Sequence, residues 1–124
     1  MHLSQEEIVY KILTMREWEE IEQTGVIVLS ELDKKDGFVH LSTPAQLLET
    51  CQRYFPPETQ PLALEIRVKD IEASLRWECV STRNNQSFPH LYRQLQLSEV
   101  IALQQVAFLQ GRWVIGERKK RRQS

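Results

Sequence analysis

The chain has 124 residues, 41% hydrophobic and 27% charged, with a formal net charge of −1. These are the values of one globular domain with its own core, too short for two, and no apolar run approaches the roughly 20 residues that cross a bilayer as a helix. Five of the 16 basic residues crowd into positions 118–122, leaving 11 basic against 17 acidic residues elsewhere, which argues against a broad nucleic-acid-binding face.

Residues 1–7, with Ser4-Gln5-Glu6-Glu7, are polar and read as a flexible end without signal-peptide character. Residues 8–13 are rich in β-formers and predict a first strand, Tyr10 and Ile12 on one face and Val9, Lys11 and Leu13 on the other. Thr14 and Glu17 make a capping-box pattern, Met15, Trp18 and Ile21 follow helical spacing, and Gly25 is a stop, so a helix is expected over 15–23 with Trp18 in the core. Residues 26–29 suggest a short strand, and 30–35 a polar lead into the next turn. A second helix is expected from Pro44 to Phe55, with an apolar stripe of Leu47, Leu48, Cys51 and Tyr54, ended by Pro56-Pro57. Residues 62–68 alternate cleanly, which buries Leu62, Leu64, Ile66 and Val68 on one face. A helical turn capped by Asp70, a strand over 76–80, a turn at Asn84-Asn85, an extended 88–92 and a hairpin from 100–109 through Gly111-Arg112 to 113–115 complete the domain, 8–116. Residues 117–124 read as a basic disordered tail, so that a cut after Gly116 would leave the melting temperature alone, although contact with RNA or an anionic surface stays open. Cys51 and Cys79 lack metal-type spacing and read as buried, reduced thiols, which places the protein in the cytoplasm.

The strands dominate the second half, so the order predicts an α+β single domain with a bent or split mixed sheet and two main helices. Its chemistry centres on Asp36-Gly37-Phe38-Val39-His40-Leu41-Ser42-Thr43-Pro44. The turn at Gly37 feeds a short strand, and His40 and Ser42, two apart, share a side of it just before a helix begins. His40-Leu41-Ser42 and His90-Leu91-Tyr92 repeat one pattern of imidazole, leucine and hydroxyl. We therefore expect His40 and His90 in one cleft with Ser42, Tyr92, Trp77 and Glu78. Separation of the two imidazoles by more than about 12 Å would exceed the reach of one small-molecule pocket. Trp77 or Tyr10 would stack on a ligand, and Glu78 beside a histidine would favour the imidazolium and prime an anion site. The plainer alternative is a pair of satisfied structural histidines. No Gly-rich phosphate loop, Gly-x-Ser-x-Gly elbow or metal-ligand spacing is present, and no metal is expected.

Taken in order, Ile8-Val9-Tyr10-Lys11-Ile12, Glu17-Trp18, the Asp36–Thr43 block, Leu75-Arg76-Trp77-Glu78, Phe88-Pro89-His90-Leu91-Tyr92 and Leu95-Gln96-Leu97 resemble the uncharacterised bacterial family called domain of unknown function 952. That family has no established activity. Its grouping with the ADP-ribosyltransferases implies a split-β architecture and NAD as substrate or ligand. By the same resemblance, residues 37–42 match the second motif of that superfamily, with His40 where an aromatic would stack on nicotinamide. Tyr10 and Lys11 stand where the first-strand residue would hold the nicotinamide ribose. His90 stands near the third motif in place of glutamate, and Glu78 is the alternative acid. A neutral imidazole is a poor substitute for a carboxylate facing an oxocarbenium-like transition state, so transfer to proteins is not implied.

Three classes of function follow. The first is an enzyme on NAD or an ADP-ribosyl or phosphorylated compound, with His40, His90 and Glu78 catalytic and Tyr10, Lys11, Ser42, Trp77 and Tyr92 binding. The second is a small-molecule (nucleotide)-binding module without chemistry, and the third a structural or interaction protein. In each, neither nucleic acid nor membrane is an expected partner.

Overall fold

A strand buried on both sides decides the layering. The computed structural model describes residues 7–121. Its first strand, β1 (Ile8–Thr14), turns Val9 and Leu13 into one apolar cluster and Tyr10 and Ile12 into another. Thr14 then caps α1 (Met15–Thr24): its hydroxyl accepts from the Glu17 amide and the Glu17 carboxylate accepts from the Thr14 amide, and Gly25 ends the helix at φ 76°. Trp18 and Ile21 are the residues that α1 buries. The next elements are α2 (Glu31–Asp36), β2 (Val39–His40), α3 (Leu47–Tyr54) and β3 (Pro61–Arg67). They are followed by α4 (Val68–Ile71), β4 (Leu75–Val80), β5 (Gln86–Leu91), β6 (Val100–Leu109) and β7 (Arg112–Lys120).

Four strands form an antiparallel sheet in the order β1-β3-β6-β7, and three form a second in the order β2-β5-β4. They meet where Tyr10 and Ser42 exchange both backbone hydrogen bonds, at 2.7 and 2.9 Å. One face of the larger sheet packs Leu62, Leu64 and Ile66 against α1 and against Val39 and Leu91 of the smaller sheet. The other packs Tyr10, Ala63, Val106 and Trp113 against Leu47 and Cys51 of α3. The result is a mixed α+β single domain with two sheets. Among the described residues no helix is long and apolar enough to cross a membrane.

Several expectations need correction. Residues 26–29 form no strand; Val26, Val28 and Leu29 are exposed, and the polar stretch after them is α2, capped reciprocally by Ser30 and Asp33. The strand over 62–68 ends at Arg67, because Val68 opens α4, and both of its faces are buried, Ala63 and Glu65 included, since α3 covers the reverse side. The hairpin turn lies one residue earlier than expected, at Gln110 and Gly111, both with positive φ (50° and 82°). Cys51 is buried but Cys79 is exposed, because it lies two residues from Trp77 and shares its outward face of β4.

The tail also differs. Residues 118–120 pair with β6 opposite Gln104, Leu103 and Ala102. Arg118 makes two hydrogen bonds to the buried Glu65 carboxylate, and Arg121 donates to the carbonyls of Leu97 and Val100. Backbone pairing and a buried anionic partner anchor the strand where apolar anchors are missing. Of the flexible ends expected at 1–7 and 117–124, residues 1–6 and 122–124 lie outside the described residues.

Candidate functional site

The site is assembled around Asp33. As the third residue of α2 it closes the capping box, and Gly37, at φ 82°, ends the helix one turn later and swings the chain into β2. Its carboxylate, 1% exposed, accepts from Lys11 Nζ at 2.7 Å, His40 Nδ1 at 2.7 Å, the His40 amide at 3.0 Å and the Ser30 amide at 3.3 Å. Burial by itself pushes the Asp33 carboxyl up. The hydrogen bonds from His40 and the charge of Lys11 outweigh it and hold the group well below the usual carboxylate range. The other ring nitrogen of His40, Nε2, lies 2.9 Å from Asp36 Oδ2, so both contacts are hydrogen bonds only when both ring nitrogens carry protons.

Antiparallel pairing sets His40 of β2 directly opposite His90 of β5. Cross-strand partners share a face, and the ring centroids are 5.6 Å apart. Phe38 stacks on His90 at 4.0 Å and leans on His40 at 4.5 Å, which immobilises both rings. On β4, Glu78 accepts from the Tyr92 hydroxyl at 2.6 Å and from His90 Nδ1 at 2.7 Å through the same oxygen. The Tyr92 hydroxyl, and after it His90, hold the Glu78 carboxyl below its ordinary value, while the bond to Glu78 raises the Tyr92 hydroxyl. A carboxylate on Nδ1 fixes the neutral tautomer that carries its proton there. In that tautomer Nε2 carries a lone pair, and no described residue bonds to Nε2 of His90. A carboxylate-backed imidazole of this kind can move a proton.

Both histidines line a cavity of about 560 Å³. Lys11, Ser30, Asp33, Ser42, Thr50 and Arg83 supply further polar groups, Glu17, Glu20 and Glu31 add carboxylates, and Ile21, Leu29, Leu32, Tyr54 and Phe55 make much of its apolar wall. The structure thus brings together His40, His90, Lys11 and Ser42. Glu78 and Tyr92 stand behind His90, outside the cavity lining. Trp77, expected in the cleft, lies elsewhere: it is the strand neighbour of Glu78, so it points to the opposite face of β4, where it is 45% exposed. Tyr10 likewise alternates away from Lys11 and packs against α3, with its hydroxyl raised by burial. Sequence reasoning missed Asp33, Thr50 and Arg83. Ser30-x-x-Asp33 was a readable capping signal; nothing local to Thr50 or Arg83 marks them.

The fold and site define a small two-sheet α+β protein with a histidine-lined cavity. Residues 12–103 match the family described as Protein of unknown function (DUF952), and the chain belongs to that family. It is similar to protein CC0527 from Caulobacter crescentus, whose X-ray crystal structure is 32% identical, with a TM-score of 0.76 over 88% of this chain and 93% of that one. The solution NMR structure of CC0527 gives 0.73 over 86% and 90%, also at 32% identity. No match was found among curated proteins.

Proposed function

We propose that this chain is an enzyme acting on NAD or on a related ADP-ribosyl or phosphorylated compound, within the cavity between its two sheets. The observation that carries this reading is the His40–His90 pair: two rings held face to edge on one cavity wall, one closed at both nitrogens, the other open at Nε2. The division of labour follows from the bonding. His90 accepts or delivers a proton at Nε2, with Glu78 and Tyr92 holding its ring from behind. His40, whose two nitrogens are taken by Asp33 and Asp36, offers the ligand its ring surface rather than a free hydrogen-bonding atom. A volume of about 560 Å³ with an apolar wall and a few convergent polar groups suits a small organic molecule. The relation to the split sheet of ADP-ribosyltransferases is part of the proposal, supported by the seam at Tyr10 and Ser42.

Titration calorimetry with NAD, ADP-ribose and nicotinamide, followed by chromatographic assay of turnover, tests the reading. We expect NAD or ADP-ribose to bind and be converted, and His90→Ala to abolish conversion while the far-ultraviolet spectrum stays native. Binding without conversion would replace the enzyme by a binding module. Failure of all three compounds to bind would remove the NAD reading altogether.

A further inference from the structure

Arg83 is buried in a way that the histidine pair does not explain. It ends a short 3-10 turn (Ser81–Arg83) after β4, and the chain leaves it through Asn84 at φ 58°. Its side chain is 5% exposed, yet it lines the cavity. Two aromatic rings flank its guanidinium, with Cζ 4.5 Å from the Phe88 centroid and 5.7 Å from that of Tyr54. Nη2 donates to Glu49 Oε1 at 3.1 Å and to Thr50 Oγ1 at 3.2 Å, and the Thr50 hydroxyl lies 3.0 Å from that of Ser42.

The remaining donors have no such use. Nε–H is buried and unbonded, and Nη1 bonds to no described residue. A guanidinium carries five N–H donors, so the Nη1 pair and Nε–H are left over. A buried donor without an acceptor is costly, and stable proteins rarely keep one without a reason. The counter-charge is not held by Arg83 alone. Glu49, half exposed, is shared with Gln86 at 3.1 Å, and its carboxyl is held low by the Gln86 amide and then by Arg83. Lys11 differs, since its ammonium meets the buried Asp33.

We propose that Arg83, with the hydroxyls of Thr50 and Ser42, forms a phosphate subsite of the cavity, distinct from the histidine pair. It would take a phosphomonoester or pyrophosphate group carried on an apolar or aromatic body. Arginine supplies a rigid fork, and whichever of the two hydroxyls does not donate to the other supplies one further donor, which suits a tetrahedral anion better than a planar carboxylate. The inference rests on the cavity being a ligand site, and not on NAD being its ligand.

The test uses calorimetry on the full chain at constant ionic strength, with pyrophosphate, AMP, adenosine and succinate as probes. Pyrophosphate and AMP should bind the wild type, adenosine and succinate far more weakly. Arg83→Gln should weaken both phosphorylated probes by about 10- to 100-fold, the range expected for lost charged hydrogen bonds. His90→Ala should leave pyrophosphate binding largely intact. Equal binding of pyrophosphate to wild type and Arg83→Gln, its failure to bind the wild type, or succinate binding as well as pyrophosphate would each overturn the assignment. Should Arg83→Gln fail to fold, the Arg83 Nε–H resonance of the wild type decides: pyrophosphate should shift it downfield, and an unmoved resonance overturns the subsite. Loss of pyrophosphate binding in Arg83→Gln without any binding of NAD or ADP-ribose would support the subsite and end the NAD reading. NAD binding that Arg83→Gln leaves unchanged would do the reverse.

Discussion

Replacing Asp33 by Asn keeps the size of the side chain and an acceptor for the Ser30 amide, but removes the charge that Lys11 faces. Lys11 is 6% exposed and its ammonium lies 2.7 Å from Asp33, so the variant leaves a buried cation without its counter-charge. Breaking a buried pair from one side costs about 3–5 kcal/mol. A domain of this size has about 5–15 kcal/mol in all. With a urea slope of about 2 kcal/mol per M, the midpoint at pH 7 should fall by about 2 M. The acid limb should change too. Asp33 is held low in the fold because the bonds from His40 and the charge of Lys11 overcome the opposing effect of burial. A carboxyl with a depressed folded pKa contributes stability that is full above the unfolded value of about 4 and is lost as pH falls toward the folded one. Wild type should therefore lose stability below about pH 4, and Asp33→Asn should lose less over the same interval. Adding Lys11→Met to Asp33→Asn should restore part of the loss, because the stranded cation is gone. An unchanged midpoint in Asp33→Asn, or strictly additive losses in the double variant, would refute the account.

Truncation after Gly116 removes both hydrogen bonds that Arg118 makes to Glu65, itself 3% exposed, and strands a buried carboxylate at a cost of about 2–3 kcal/mol. Scanning calorimetry should show a melting temperature several degrees lower; an unchanged one would mean that the end of β7 adds nothing. Leu64→Ala, at a fully buried position facing α1, should cost about 2–5 kcal/mol in denaturant titration, and no change would show the register of β3 to be wrong. Ellman's reagent should label the exposed Cys79 quickly. Cys51, whose thiol is pushed up to about 12 by burial, should react only on unfolding. Fast labelling of both thiols would contradict the packing of α3.

What was legible in the sequence is what periodicity and capping encode locally. Thr14 with Glu17, the stop at Gly25, Pro44 opening a helical segment and the alternation of 62–66 all specify their elements within a few residues. Helix α2 was missed because its single buried residue is the charged Asp33, so it carries no apolar stripe to detect. The misplacement of Trp77 was avoidable: adjacent strand residues point to opposite faces, so Trp77 and Glu78 could not both face the histidines. The tail and Arg83 are harder cases. The partner of Arg118 lies 53 residues away at Glu65, and Arg83 is held by Glu49 and Thr50 from across the fold, so neither setting exists until the chain has closed.

The seam between Tyr10 and Ser42 has a consequence for how the protein opens. Seven paired positions zip β1 to β3, whereas β2 is held to β5 by only two. Amide exchange should therefore proceed in tiers, with β2 and its neighbours exposing their hydrogens in partial openings that leave the larger sheet closed. The cavity spans both tiers, with Lys11 on β1 and the histidines on β2 and β5. A ligand held across it would act as a clasp on the weaker tier, and the slowing of exchange it causes should concentrate in β2 and β5 rather than spread through the molecule.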